Sequence, residues 1–134
     1  MAKETGITTA IAVDESDGNA RTISNDISDF SMTTPRGVQE VTGLDKNAIE
    51  RLLLLADQQV TINGFFNDAS NMSHEVFSTV GSSSVARTTT LTISGQSLGN
   101  ELFYTDYQLT RAATGELTWS APGMLANGTF NAWS

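Results

Sequence analysis

Few side chains in this 134-residue sequence are equipped for catalysis. There is no cysteine, which removes a thiolate nucleophile, a disulfide frame and sulfur ligation of a metal. One histidine, His74, cannot build a multi-histidine metal site within one chain. A hydrolytic triad needs nucleophile, base and orienting acid together. His74 has no Asp or nucleophile motif beside it, and no G-x-S-x-G occurs. It therefore reads as a surface residue on the polar side of a helix. Carboxylates recur in pairs, Asp26 with Asp29 and Glu101 with Asp106, as a glycosidase could use. The commoner meaning of two acids on one strand is a solvated edge. Asp14, Asp17 and Gly18 resemble part of a calcium loop, but the closing Glu and the flanking helices are missing, so they read as a polar hairpin tip. No glycine loop suited to phosphate occurs. No catalytic residue, metal or cofactor is expected.

Charge narrows the partners. The formal net charge is −8, with −7 of it on residues 1–75. Binding to nucleic acid needs a basic groove, and none is offered. An acidic surface repels nucleic acid, which opposes grip but suits a surface along which it must slide. The longest apolar run, Leu52–Ala56, is too short to cross a bilayer. The stretch Ile7–Val13 follows Lys3 but is threaded with threonine and meets Asp14 and Glu15. That is a poor secretory signal, so the chain is expected to stay where it is made.

The elements that would carry these residues are mostly strands. Charged residues are 16%, while Ser and Thr number 32, an excess that favours strands and turns. The length suits one domain, residues 1–134. Strands are expected at residues 6–13 and 21–32, the second with a bulge at Asn25–Asp26. Residues 33–37 break it. A long irregular connection, Met32–Asp57, follows, with a short helix over Asn47–Leu53 because Ile49, Leu52 and Leu53 fall at helical spacing. Its Leu44, Ile49 and Leu52–Leu55 are too apolar for a free loop. They must be covered either by this chain's core or by a neighbouring subunit.

A strand over 59–66 precedes an amphipathic helix of about ten residues, with Met72, Val76, Phe77 and Val80 on one face and Asp68 or Ser70 as cap. Three more strands form an antiparallel meander: 85–94, 101–111 and 116–121. Alternation puts Phe103, Tyr107 and Leu109 on one face, and Tyr104, Asp106 and Gln108 on the other. Turns are expected at 95–100 and 112–115, and Pro122–Gly123 closes the last strand. In the C-terminal tail, Met124–Ser134, Phe130 and Trp133 imply docking.

This order of elements resembles the major tail tube proteins of long-tailed bacteriophages. The resemblance is carried by DISDFSMTTPRGVQEVTGLDKNAIERLLLLADQQVTINGFFND and RTTTLTISGQSLGNELFYTDYQLTRAATGELTWSAPG. It implies two packed antiparallel β-sheets flanked by one helix, a sandwich or partial barrel. It further implies six-membered rings whose inner sheets join into one barrel, and stacking of those rings into a hollow tube that conducts DNA at genome ejection. Tape-measure and tail-terminator or tail-tip proteins would be partners, no membrane would be involved, and the setting would be the virion after assembly in the host cytoplasm. On this reading Asp26, Asp29, Glu101 and Asp106 are candidates to line the channel. Leu44, Ile49, Leu52, Leu53, Leu54, Leu55, Phe130 and Trp133 are candidates for contact between subunits. The alternative is a monomeric β-sandwich binding module, a virion decoration or carbohydrate-recognition domain. Tyr104, Trp119 and Trp133 would then stack on sugar, unless they pack in a core or interface.

Overall fold

The computed structural model describes residues 5–134, so Lys3 lies outside it. The fold is mainly β, with two antiparallel sheets and one short helix, as the sequence predicts. In chain order the elements are β1 (Ala10–Asp14), β2 (Ala20–Thr22), a 3-10 turn (Ser24–Asp26), β3 (Ile27–Thr33), β4 (Arg36–Glu40), β5 (Arg51–Ala56) and β6 (Gln59–Phe65). The helix α1 (Ser73–Phe77) follows, then β7 (Arg87–Ile93), β8 (Gln96–Tyr104), β9 (Gln108–Arg111) and β10 (Leu117–Leu125).

Eight strands form one sheet in the order β2–β1–β7–β8–β10–β6–β3, with β9 also paired to β10. The sheet curls, so that its two halves pack face to face. Ile11 and Leu91 from β1 and β7 meet Phe30, Met32, Val60 and Ile62 from β3 and β6 around one small internal gap. Strict alternation supplies the apolar side, as in the buried Val60, Ile62 and Gly64 of β6. Phe77 of α1 lies against the core, its ring centroid 5.1 Å from Trp119 and 5.2 Å from Tyr104.

Several local expectations change. The turn between β7 and β8 is only Ser94–Gly95, both with positive φ (49° and 82°), as a two-residue hairpin of matching twist requires. Strand β8 therefore starts at Gln96. The expected strand 101–111 exists as β8 and β9 laid end to end along β10. Tyr104 pairs with Gly123 and Gln108 with Ser120, so four steps on one side oppose three on the other. This bulge at residues 105–107 slips the alternation by one. Before it, Tyr104 is inside and Phe103 outside; after it, Tyr107 packs on the core, so Tyr104 and Tyr107, expected on opposite faces, both turn inward. Burial of Tyr104 is made possible by its hydroxyl meeting Thr89 Oγ1 at 2.7 Å. Strand β10 runs through Pro122–Gly123 rather than closing there. The Pro122 carbonyl accepts the Thr105 N–H at the bulge, where the ladder is already interrupted.

The helix has five residues instead of about ten. Neither Asp68 nor Ser70 caps it. Asp26, 47 residues away in the chain, accepts the Ser73 N–H at 3.0 Å and the Asn67 Nδ2–H at 2.8 Å. At the other end the buried Arg87 donates to the Val76 carbonyl (2.7 Å) and Thr79 Oγ1 (2.8 Å). His74 is half-buried, its Nδ1 3.2 Å from the Tyr107 hydroxyl, rather than on a free polar surface.

The connection Met32–Asp57 is not irregular, and no helix forms over 47–53. β4 and β5 make the second sheet. Their register continues that of β3 and β6: Met32 pairs with Val60, Arg36 with Ala56, and the Pro35 carbonyl accepts the Asp57 N–H between them (3.2 Å). The two hairpins are one, extended beyond the body as an arm. The helical spacing of Ile49, Leu52 and Leu53 is overridden because β4 offers residues 51–56 a backbone partner.

Candidate functional site

The arm is the part of the molecule least able to stand alone. All of its strand residues are exposed, and Leu52, Leu53, Leu54 and Leu55 range from 45% to 90%. Leu44 and Ile49 near its tip are also exposed, as are Val38 and Val41, which sequence reasoning did not single out. Apolar side chains occupy both faces of a two-stranded ribbon that lacks a covering layer on either side. Such a ribbon is marginal in water without a packing partner. It is held in shape by the shared ladder and by Arg36. A bulge between Arg36 and Val38 leaves the Leu54 carbonyl off the ladder, and Arg36 donates to it from Nε (2.9 Å) and Nη2 (2.7 Å).

The outward face of the eight-stranded sheet is mostly polar, although Phe65, Phe103 and Met124 are exposed on it. The side chains of β3, β6, β10 and β9 on this face include Asp29, Ser31, Thr61, Asn63, Thr118, Ser120, Gln108 and Thr110. On β7 and β8 the same face carries Thr88, Thr90, Thr92, Ser97 and Glu101. Among the described residues, no Lys or Arg occupies this face of the strands. The exposed bases Arg36, Lys46 and Arg51 lie on the arm and Arg111 at the end of β9. The hydroxyl rows were legible in the sequence as the alternating threonines of RTTTLTI.

The four proposed channel acids do not stand together. Asp29 is exposed on β3 and accepts the Asn63 Nδ2–H at 2.6 Å. Glu101 projects from the same face on β8 and accepts the Thr88 hydroxyl. Asp106 is exposed at the bulge and accepts the Tyr107 N–H at 2.8 Å. Asp26 is 3% exposed and capping α1, so it faces the interior and lines no solvent-filled bore. Its misplacement follows from parity, since the 3-10 turn and the bulge at Ser28 separate it from the alternation of β3.

The tail proper begins at Ala126, because Met124 and Leu125 belong to β10. It docks on its own protomer along β8: Ser97 and Ser134 exchange two backbone hydrogen bonds (2.9 and 3.0 Å). Phe130 is half-buried, and Trp133 remains 42% exposed. Tyr104 and Trp119 are buried, which removes two of the three aromatics considered for a sugar platform.

Three edges of the body remain open. Among the described residues, β2 pairs only with β1, β3 only with β6 and β9 only with β10. In the antiparallel set β9–β10–β6–β3, the two outer strands run in opposite directions. A copy placed edge to edge can therefore extend the set without breaking the antiparallel pattern. A cleft of about 360 Å³ beside β1 and β3 is lined by Ile7, Ile11, Ser24 and Ile27 with one acid, Asp29, a poor set for acid–base chemistry. No cluster of three or more potential metal ligands occurs among the described residues, and none of their helices is long and apolar enough to cross a membrane.

No protein-family model matches the sequence, and no curated protein matches it. Solved structures do. A chain from the tail of an empty gene transfer agent particle, obtained with helical refinement and C6 symmetry, superposes with a TM-score of 0.79 at 18% identity. The match covers 97% of this chain and all of the other. A chain from the virion of a native gene transfer agent particle gives 0.78 at 17% identity, with the same coverage. At these identities the likeness is one of fold, arm included, since almost the full length of both chains is matched. The chain thus has the fold of a protein found in the tail of a gene transfer agent particle.

Proposed function

We propose that the chain is a structural, non-enzymatic tail protein, the repeating unit of a hollow tail tube built from stacked six-membered rings. The observation that carries this reading is the arm: an apolar ribbon without cover on either face, every strand residue of which is exposed. A stacked, open-ended assembly requires a surface of that kind, which identical copies cover for one another. The C6 symmetry stated for the matched tail supports six copies per ring.

Within a ring, the free edge of β3 pairs with the free edge of β9 on the next copy, which removes both edges. The joined sheets enclose the bore, and the arm, residues 32–57, reaches the adjacent ring. Phe130 and Trp133 add to contacts between subunits. Asp29, Glu101 and Asp106 are the acids proposed for the lining, together with the outward Ser and Thr rows. Each cation on such a wall would add affinity for DNA through counterion release, so a base-free face lets the genome slide. Repulsion extends about 8 Å at physiological salt, enough to prevent adhesion. DNA then passes without specific binding, and the tube ends on a terminator or tip protein with a tape-measure protein inside. The setting is the virion, after assembly in the host cytoplasm.

Negative-stain microscopy of concentrated protein tests the reading. Rings or tubes are expected, and excision of the arm's centre should leave folded monomers that no longer polymerise. A strict monomer at all concentrations, or normal tubes from the excised variant, would sink it. No observation favours the binding-module alternative once Tyr104 and Trp119 lie in the core.

A further inference from the structure

The root of the arm is tied to the C-terminal segment through buried amides. Gln58, just before β6, is 2% exposed, and Asn100 on β8 is 1% exposed. Asn100 Nδ2 donates to Gln58 Oε1 at 2.8 Å and to the Asn131 carbonyl at 3.3 Å, while its Oδ1 accepts the Asn131 N–H at 2.6 Å. The Gln58 carbonyl in turn accepts the Leu125 N–H at 2.9 Å, and its Nε2 faces Met32 Sδ at 3.4 Å. Next along the chain from Gln58 is Asp57, whose N–H makes the ladder bond to Pro35 that joins arm to body. A buried amide is tolerated only when its groups are paired. The Asn100 side chain is satisfied only when the arm's root and residue 131 are both in place.

We infer that residues 126–134 act as a clasp that sets the arm, with Asn100 as the positioning residue through which the clasp works. With the segment undocked, the Asn100 acceptor and one of its donors lose their partners. The side chain must then turn toward water, and Gln58 loses its anchor. The arm's root loosens between Pro35 and Gln58, and the arm no longer projects at one fixed angle. This inference rests on the reading of the arm as an assembly contact.

Amide hydrogen exchange on the full-length chain and three variants separates the possibilities. Asn131→Pro removes the N–H that Asn100 accepts. Asn131→Ala keeps both main-chain groups and loses only the Nδ2 bond to the Gly99 carbonyl (3.2 Å). The double variant Asn131→Pro/Ser134→Pro also removes the Ser134 donor to Ser97. Exchange at Asp57 and Leu125 is expected to rise about tenfold in the proline variants, as loss of one neutral hydrogen bond implies. It should stay at the parental rate in Asn131→Ala. The Ile23 amide, bonded to the Ile11 carbonyl and to no residue of the clasp, should not change. Polymerisation, followed by light scattering, should slow in the proline variants and not in Asn131→Ala. Parental exchange at Asp57 in both proline variants would overturn the inference, as would an equal rise at Ile23, which signals general destabilisation. If the unaltered chain fails to polymerise, the tube reading fails, and the exchange data still judge the clasp.

Discussion

Asp26 shows how much one carboxylate can hold when it is buried. It joins the 3-10 turn before β3 to the start of α1 through Ser73 and Asn67. Asp26→Ala leaves both donors without an acceptor, and urea unfolding should report a loss of about 1–3 kcal/mol. Gly64 is needed for a different reason. A Cβ there would come within 2.2 Å of the Asp26 carbonyl oxygen and 2.7 Å of the Trp119 ring. Gly64→Ala should therefore destabilise by about 3 kcal/mol, at the upper end for overpacking, in the same assay. The phenols set an alkaline limit. Burial, followed by the nearby charge of Asp26, pushes Tyr107 up to about 12, and burial also raises Tyr104. The native state keeps these protons at a pH where the unfolded chain has released them. Stability is thus full below pH 10, the ordinary phenol value, and is lost as pH rises through about 12. Thermal melts across this range should show a falling Tm, and a flat profile would remove the tyrosines from the account.

At the scale of elements, the arm and the β8–β9 strand teach the same point about pattern. The sequence marked residues 32–57 as too apolar for a free loop, and in the structure they form a ribbon whose leucines are exposed. It did not mark them as strands, because a leucine run has no period of two and its partner β4 lies eleven or more residues earlier. Threonine at positions 52, 53, 54 and 55 together keeps the ladder and removes the grease. Protomer stability should change by no more than about 1 kcal/mol, since exposed sites carry little folding energy. Sedimentation should then find no polymer at concentrations where the parent assembles. Unaltered polymer would place the contact elsewhere.

The whole molecule is divided by chemistry into an exposed apolar arm and a sheet face whose strands carry hydroxyls and carboxylates but no base. Exposed cations are kept to the arm and the end of β9, away from the hydroxyl-rich face that holds Asp29 and Glu101. Asp29→Lys with Glu101→Lys should leave tube assembly intact. It should also make assembled tubes retain DNA with an affinity that falls as salt rises. Filter retention at two salt concentrations measures this. Genome delivery at the parental rate would show that these acids do not face the bore.

What the sequence determined by itself was the lack of cysteine and the single histidine, the mainly β composition, the acidic imbalance and the presence of a greasy segment. Each depends on residue counts or on short unbroken alternation, so no long-range contact is needed to read it. The tertiary structure decided which acids are outside, which face of β8 is core, and that the greasy segment is a ribbon. The reason is that facing in a strand has a period of two, and a single bulge, as at Ser28 or at residues 105–107, reverses every side chain beyond it. The cap on α1 and the tie between Gln58 and Asn131 were beyond local pattern for the same physical cause: their hydrogen bonds join groups that only folding brings together.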